Sequence, residues 1–176
     1  MNQKIFITGP PRYGKSTLIS KLIEYYYFQK NYNIYGFLKP EVKKSGNRIG
    51  FDILDISSKE RMKLARIGNY HTPNRLGKYR IFLEGLEKVI TNLEATPLHE
   101  IELFIIDEIG KMELFSKKFQ DFITRLFASN ISIIATIGLS VKHPIKDHLL
   151  NIPNVKLFTL DRHNFQKTYQ KIISML

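Results

Sequence analysis

Eight residues near the amino terminus, Gly9-Pro10-Pro11-Arg12-Tyr13-Gly14-Lys15-Ser16, have the types and spacing needed to grip phosphates. The glycines allow a tight turn that aims main-chain N–H groups at an anion. The start of the following helix adds its own free donors and its positive dipole end. Lys15 supplies an ammonium for the β- and γ-phosphates of a nucleotide, and the Ser16 hydroxyl is a hard oxygen ligand for Mg²⁺. Thr17 falls beside the α-phosphate in this geometry. Arg12 and Tyr13 are unusual inside such a loop; they either touch the nucleotide or face solvent. Average residue usage produces the pattern by chance about once in 200 chains this long.

A phosphate loop needs a partner acid. Leu103-Phe104-Ile105-Ile106-Asp107 is an apolar run ending in Asp, the Walker B form. A buried strand holds such a carboxylate at the carboxyl edge of the sheet, where α/β proteins bind ligands. Asp107 is therefore expected to contact Mg²⁺, directly or through water. Glu108 follows at once, and strand alternation turns it away from Asp107. The role left for it is general base toward the water that attacks the γ-phosphate. The bland alternative is a pair of exposed acids at a strand–helix turn. The binding segment expected here runs from Leu103, Phe104, Ile105 and Ile106 through Asp107 and Glu108 to Ile109 and Gly110. A consecutive Asp-Glu also suggests a further strand, Ile131 to Thr136, between the phosphate-loop strand and the Walker B strand. Thr136 then lies between the two motifs, either bonded to the γ-phosphate or the attacking water, or without a role.

These residues need elements to position them. Ile5-Phe6-Ile7 reads as a buried strand ahead of the loop, and Leu18, Ile19, Leu22, Ile23 and Tyr26 recur at helical spacing behind it. Tyr35 to Val42 looks extended, with Pro40 suggesting an edge. Lys44 to Asn47 is a turn, and Arg48 to Ile56 the partner strand of a hairpin. Leu64 to Ile67 and Lys78 to Phe82 add short strands around a loop over 68–77. Leu83 to Leu93 is an amphipathic helix. After Walker B, Ser116 is placed to cap a helix, Pro144 to Leu150 is a short helix, Val155 to Thr159 the last core strand, and 163–176 a closing helix. Strands alternating with helices imply an α/β fold with a mostly parallel sheet wrapped on both faces. The region 35–82 interrupts this rhythm with antiparallel pieces. One domain over 1–176 with that insertion is expected.

Composition excludes several classes. There is no cysteine, so disulfides, thiolate metal sites and cysteine catalysis are ruled out, and the five histidines lack metal-ligand spacing. No apolar stretch reaches the length of a membrane span, and the amino terminus lacks signal-peptide character. A cytoplasmic location and no membrane partner follow by default. The net charge of +11 is scattered rather than blocked. Nucleic acid is a partner this charge allows but does not require, and the field also attracts a polyanionic nucleotide.

Asp107-Glu108-Ile109-Gly110-Lys111-Met112-Glu113, followed by Leu114-Phe115, resembles the signature of a small P-loop nucleoside-triphosphatase family described from thermophiles, with a cancer-related relative. Gly36-Phe37, Glu41-Val42, Arg48-x-Gly50-Phe51 and Gly77-x-Tyr79 resemble further stretches of that family in order, so the likeness covers nearly the whole chain. The resemblance implies a three-layer, RecA-like (ASCE) fold with an inserted antiparallel β-hairpin. It also implies slow Mg²⁺-dependent hydrolysis of ATP, GTP and other NTPs with broad base selectivity, and Glu108 as catalytic base. The chain departs from the family at Lys39-Pro40-Glu41-Val42, where a threonine is usual. It departs again after Thr159, where Leu160-Asp161-Arg162-His163 replaces a Thr-x-x-Asn-Arg pattern. Lys111 and Arg48 are candidates for the cation that meets the γ-phosphate in the transition state. Alternatively Lys111 closes a turn and Arg48 supports the hairpin. A monomeric hydrolase is the leading expectation. A small-molecule or polynucleotide kinase using Arg75 and Arg80 in a lid, and a nucleotide-gated nucleic-acid-binding module, are the alternatives.

Overall fold

The computed structural model describes residues 2–176. The run Lys4–Thr8, carrying β-branched Ile5, Ile7 and Thr8, is strand β1, buried at every position. Helix α1, Lys15–Lys30, starts at Gly14, held at φ 88°, and stops at Asn31, also left-handed. The remaining strands are β2 (Ile34–Leu38), β3 (Glu41–Lys44), β4 (Asn47–Asp55), β5 (Arg61–Ile67), β6 (Arg75–Leu76), β7 (Tyr79–Ile81), β8 (Leu103–Ile109), β9 (Ser132–Ile137) and β10 (Val155–Thr159). The remaining helices are α2 (Leu83–Glu94), α3 (Lys117–Ala128), α4 (Pro144–Leu150) and α5 (Phe165–Ile173). Ser116 caps α3 as its residue type suggests, its Oγ accepting the Phe119 N–H at 3.1 Å.

Among the described residues all ten strands form one sheet in the order β10-β1-β9-β8-β2-β4-β5-β7-β6, with β3 paired to β4. The strands from β10 to β2 are parallel, and β9 does separate β1 from β8. From β4 onward the pairing is antiparallel. Alternation along the central strands feeds two cores. Phe6, Phe104, Ile106 and Ala135 pack on the face covered by α2 and α3, around Leu86, Val89, Phe119 and Ile123. Ile5, Ile7, Ile105 and Ile134 pack on the other face, around Leu18, Leu22 and Tyr26 of α1 and Ile172 of α5. Three layers result. No helix among the described residues is long and apolar enough to cross a membrane.

Three local expectations are corrected. The first part of the segment expected to be antiparallel, Ile34–Leu38, pairs parallel with β8 and belongs to the central sheet. Pro40 does not mark an edge of that strand; it falls in the break between β2 and β3, where its missing N–H removes no ladder bond, and its carbonyl accepts the Asp52 N–H at 3.0 Å. Strand β10 is an edge rather than core strand, pairing with β1 alone and leaving Leu157 half exposed.

Gly36 explains how β2 enters the sheet. Its φ is +122°, and a Cβ there would lie 1.8 Å from the Ile105 carbonyl oxygen of β8. Gly36→Ala is expected to destabilise the protein by about 3 kcal/mol or more, from main-chain overlap and left-handed strain together. The midpoint of urea unfolding checks this.

Candidate functional site

The carboxyl ends of β1, β9, β8 and β2 meet where the two motifs were expected. Gly9 is buried at φ +144°, and a Cβ there would come within 2.4 Å of the Leu160 oxygen. Only glycine lets the loop leave β1 so close to the segment after β10, where the Leu160 N–H also donates to Thr8 at 2.8 Å. Pro10, Pro11 and Arg12 continue the turn, with Arg12 left-handed and exposed. Tyr13 lies under the Arg162 guanidinium, 5.2 Å from ring centre to Cζ. Lys15 Nζ donates to the carbonyls of Gly9 and Pro10, 2.8 Å each, so the loop's own main chain holds the ammonium over the turn. Burial lowers the Lys15 pKa, while Glu108 and Asp107 work against that shift. Ser16 and Thr17 are exposed on the first turn of α1.

Leu103, Phe104, Ile105 and Ile106 are enclosed in the two cores. Their part is to hold Asp107 rigidly, and this corrects the expectation that they line the bound nucleotide. Strand register does the rest. Ile106 pairs with Ala135, and Phe37 pairs with Ile106, so the next steps set Thr136 and Lys39 beside the Asp107-Glu108 pair. The Ser16 and Thr136 hydroxyls donate to Asp107 Oδ1 at 3.3 and 3.4 Å. Thr136 thus bonds the Walker B carboxylate itself, an outcome its place in the sheet did not specify. Asp107 is 6% exposed. Burial first, and the neighbouring Glu108 charge second, push its pKa up to about 6; the Ser16 hydrogen bond and Lys39 oppose them.

Glu108 does not follow simple strand alternation. The β8–β9 register slips by one residue between Ile106 and Ile109, and Glu108 sits in that bulge at φ +101°. A non-glycine residue held there stores roughly 1–3 kcal/mol of strain, a condition that concentrates at functional sites. Its carboxylate is partly exposed, and Oε2 lies 3.0 Å from Lys39 Nζ. Lys39 also lies 2.9 Å from Glu113 Oε1, whose other oxygen accepts the Gly110 N–H at 3.1 Å. Burial alone would lower the Lys39 pKa, but the Glu113 and Glu108 carboxylates reverse this and raise it above the ordinary lysine range. Burial likewise drives Glu113 upward, against the Lys39 charge. With a cation at one oxygen and an amide at the other, Lys39 and Glu113 form a buried ion pair. Sequence reading noted Lys39 only as a departure from the family pattern and gave neither it nor Glu113 a role. The available signal was the lysine standing two residues past Phe37 at the end of a core strand, and its meaning depended on the β2–β8 register.

The two other candidate cations make no ion pair with Glu108 or Glu113 among the described residues, although Arg48 shares the Phe51 ring with Lys39. Arg48 bonds Glu41 at 2.8 Å and the Tyr79 hydroxyl at 3.0 Å and covers the Phe51 ring, so its partners all belong to the antiparallel region. Lys111 is exposed on the turn after Gly110 and makes no ion pair among the described residues. Ile109 and Gly110 are buried beneath that turn. A cavity of about 810 Å³ lies at the other end of the strands, lined by Asn2, Lys4 and His148 among others, and shares no residue with the phosphate loop.

The donor set suits Mg²⁺. A buried carboxylate with two hydroxyls on one of its oxygens, next to a loop shaped for phosphates, offers the hard oxygens and the low protein-ligand count that this ion takes when phosphates complete its shell.

A family model described as NTPase matches residues 4–173. The chain is 38% identical over 173 residues to nucleoside-triphosphatase THEP1 of Thermotoga sp. (strain RQ2), covering 98% of this chain and 95% of that one. It is 32% identical to the cancer-related nucleoside-triphosphatase homolog of Mus musculus, over 100% of this chain and 97% of the relative. The crystal structure of THEP1 from the hyperthermophile Aquifex aeolicus superposes with a TM-score of 0.82 at 29% identity, over 99% of each chain.

Proposed function

The chain belongs to the NTPase family, and from that premise we propose that it hydrolyses nucleoside triphosphates to nucleoside diphosphates and phosphate, with Mg²⁺ and broad base selectivity that includes ATP and GTP. The loop from Gly9 to Ser16 binds the phosphates through its main-chain amides, and Lys15 turns from the Gly9 and Pro10 carbonyls to the β- and γ-phosphate oxygens. Ser16 and Asp107 would hold Mg²⁺, which would supply neutralisation of the charge that develops on the triphosphate. Glu108 accepts a proton from the water whose oxygen bonds the γ-phosphorus as the bond to the β–γ bridging oxygen breaks. Thr136, on the strand between the two motifs, fixes the Asp107 carboxylate.

The observation that supports this reading is the convergence of the Ser16 and Thr136 hydroxyls on one Asp107 oxygen, with Glu108 held next to it in a strained bulge. Phosphate release from each of the four NTPs, with and without Mg²⁺, tests it. Lys15→Ala is expected to abolish release and weaken nucleotide binding, because the ammonium meets charge that grows at the transferring group. Unchanged kinetics in that variant remove the loop from the mechanism. NTP consumption that rises on adding nucleosides, without matching phosphate release, identifies a kinase instead. Stimulation by RNA or DNA that fades with salt identifies a nucleic-acid-gated module.

A further inference from the structure

Lys39 was given no role above, yet it is the most connected charge at the site. Its side chain is 6% exposed, with Nζ 3.0 Å from Glu108 Oε2 and 2.9 Å from Glu113 Oε1. The ammonium also sits 4.9 Å from the Phe51 ring centre, under the antiparallel region. Glu113 is fully enclosed and anchored by the Gly110 N–H. One ammonium therefore ties together the two ends of the turn 108–113. It does so where the Glu108 main chain is held at φ +101° and its carboxylate is partly exposed to solvent.

We propose that Lys39 is a positioning residue for hydrolysis: it grips Glu108 Oε2, fixes the carboxylate plane and leaves Oε1 to receive the proton from water, with Glu113 as the buried anchor of the ammonium. This rests on the reading of Glu108 as base. A rival account makes Lys39 a mere counter-charge for Glu113. The difference is measurable, because a positioning residue acts through Glu108 and a counter-charge does not.

The single change Lys39→Met strands Glu113 as an unpaired buried charge and is expected to be strongly destabilising. The test therefore uses Lys39→Met combined with Glu113→Gln, which removes the ion pair in a balanced way and keeps an acceptor for the Gly110 N–H. With folding checked by circular dichroism, kcat is expected to fall about 10- to 100-fold, the range for a misaligned reacting group. KM and the affinity for a fluorescent Mg–nucleotide are expected to stay within about twofold, since no phosphate contact is lost. Lys39→Arg, which keeps the cation, recovers most of kcat. Placed on Glu108→Gln, the Lys39/Glu113 changes add little further loss, the non-additivity expected of groups acting as one unit. A wild-type kcat in the Lys39/Glu113 variant while Glu108→Gln is inactive removes the positioning role alone. Losses that multiply on the Glu108→Gln background also overturn it, and full activity of Glu108→Gln overturns both the base and its positioner.

Discussion

Glu108→Gln is expected to bind Mg–nucleotide with near wild-type affinity and to hydrolyse it at least about 100-fold more slowly, the usual range for lost general-base catalysis. Glutamine keeps the shape and the hydrogen bond that Oε2 accepts from Lys39, so the change falls on proton acceptance rather than on architecture. The main chain at 108 stays in its bulge, since the slip between Ile106 and Ile109 is a property of strand pairing and not of the carboxylate. Single-turnover phosphate release, set beside binding of a fluorescent nucleotide, separates the two effects. A loss smaller than about tenfold places the base elsewhere, with Lys15, Ser16 and Asp107 still binding the substrate.

Asp107→Asn is expected to separate stability from activity. The carboxylate's pKa is pushed up to about 6 in the folded protein, from an ordinary 3.8, chiefly by burial and then by Glu108. A raised acid pKa means that the fold prefers the protonated carboxyl. Above about pH 6 the ionised group therefore costs stability, at most about 3 kcal/mol, and the cost disappears as pH falls below about 4. Asparagine removes the charge while its oxygen still accepts the Ser16 and Thr136 hydroxyls. The nucleotide-free variant should thus melt higher than the wild type at about pH 8, with the advantage fading between about pH 6 and pH 4. Turnover should be lost, and Mg–nucleotide should raise the wild-type melting temperature but scarcely the variant's. Equal melting curves for the two proteins at about pH 8 would sink the claim that this carboxylate is held charged at the expense of the fold.

The phosphate loop, the Walker B run and the order of strands and helices were legible in the sequence because each is written within a short stretch. The loop occupies 9–16, the apolar run 103–107, and the periodicity of α1 repeats over a few turns. Even the strand between β1 and β8 followed from a local cue, the adjacent acids at 107 and 108. Less was legible where pairing partners lie far apart in the chain. The parallel placement of β2 depends on Gly36 approaching Ile105, a contact across some seventy residues that no window of sequence displays. The exposed position of β10 follows from its pairing with β1 alone among the described residues, although Val155–Thr159 looks apolar enough for a core.

Site chemistry divides along the same line. Residue types and spacing alone named Lys15, Ser16, Asp107 and Glu108, because a phosphate grip and a metal-facing acid need those groups in nearly fixed local order. Only the tertiary structure brought Lys39 between Glu108 and Glu113, bent Glu108 into a left-handed bulge, and bound Arg48 to Glu41 and Tyr79. The physical reason is register. Pairing Phe37 with Ile106 sets a lysine beside a glutamate 69 positions away, and one step of slip would send that ammonium to the other face of the sheet.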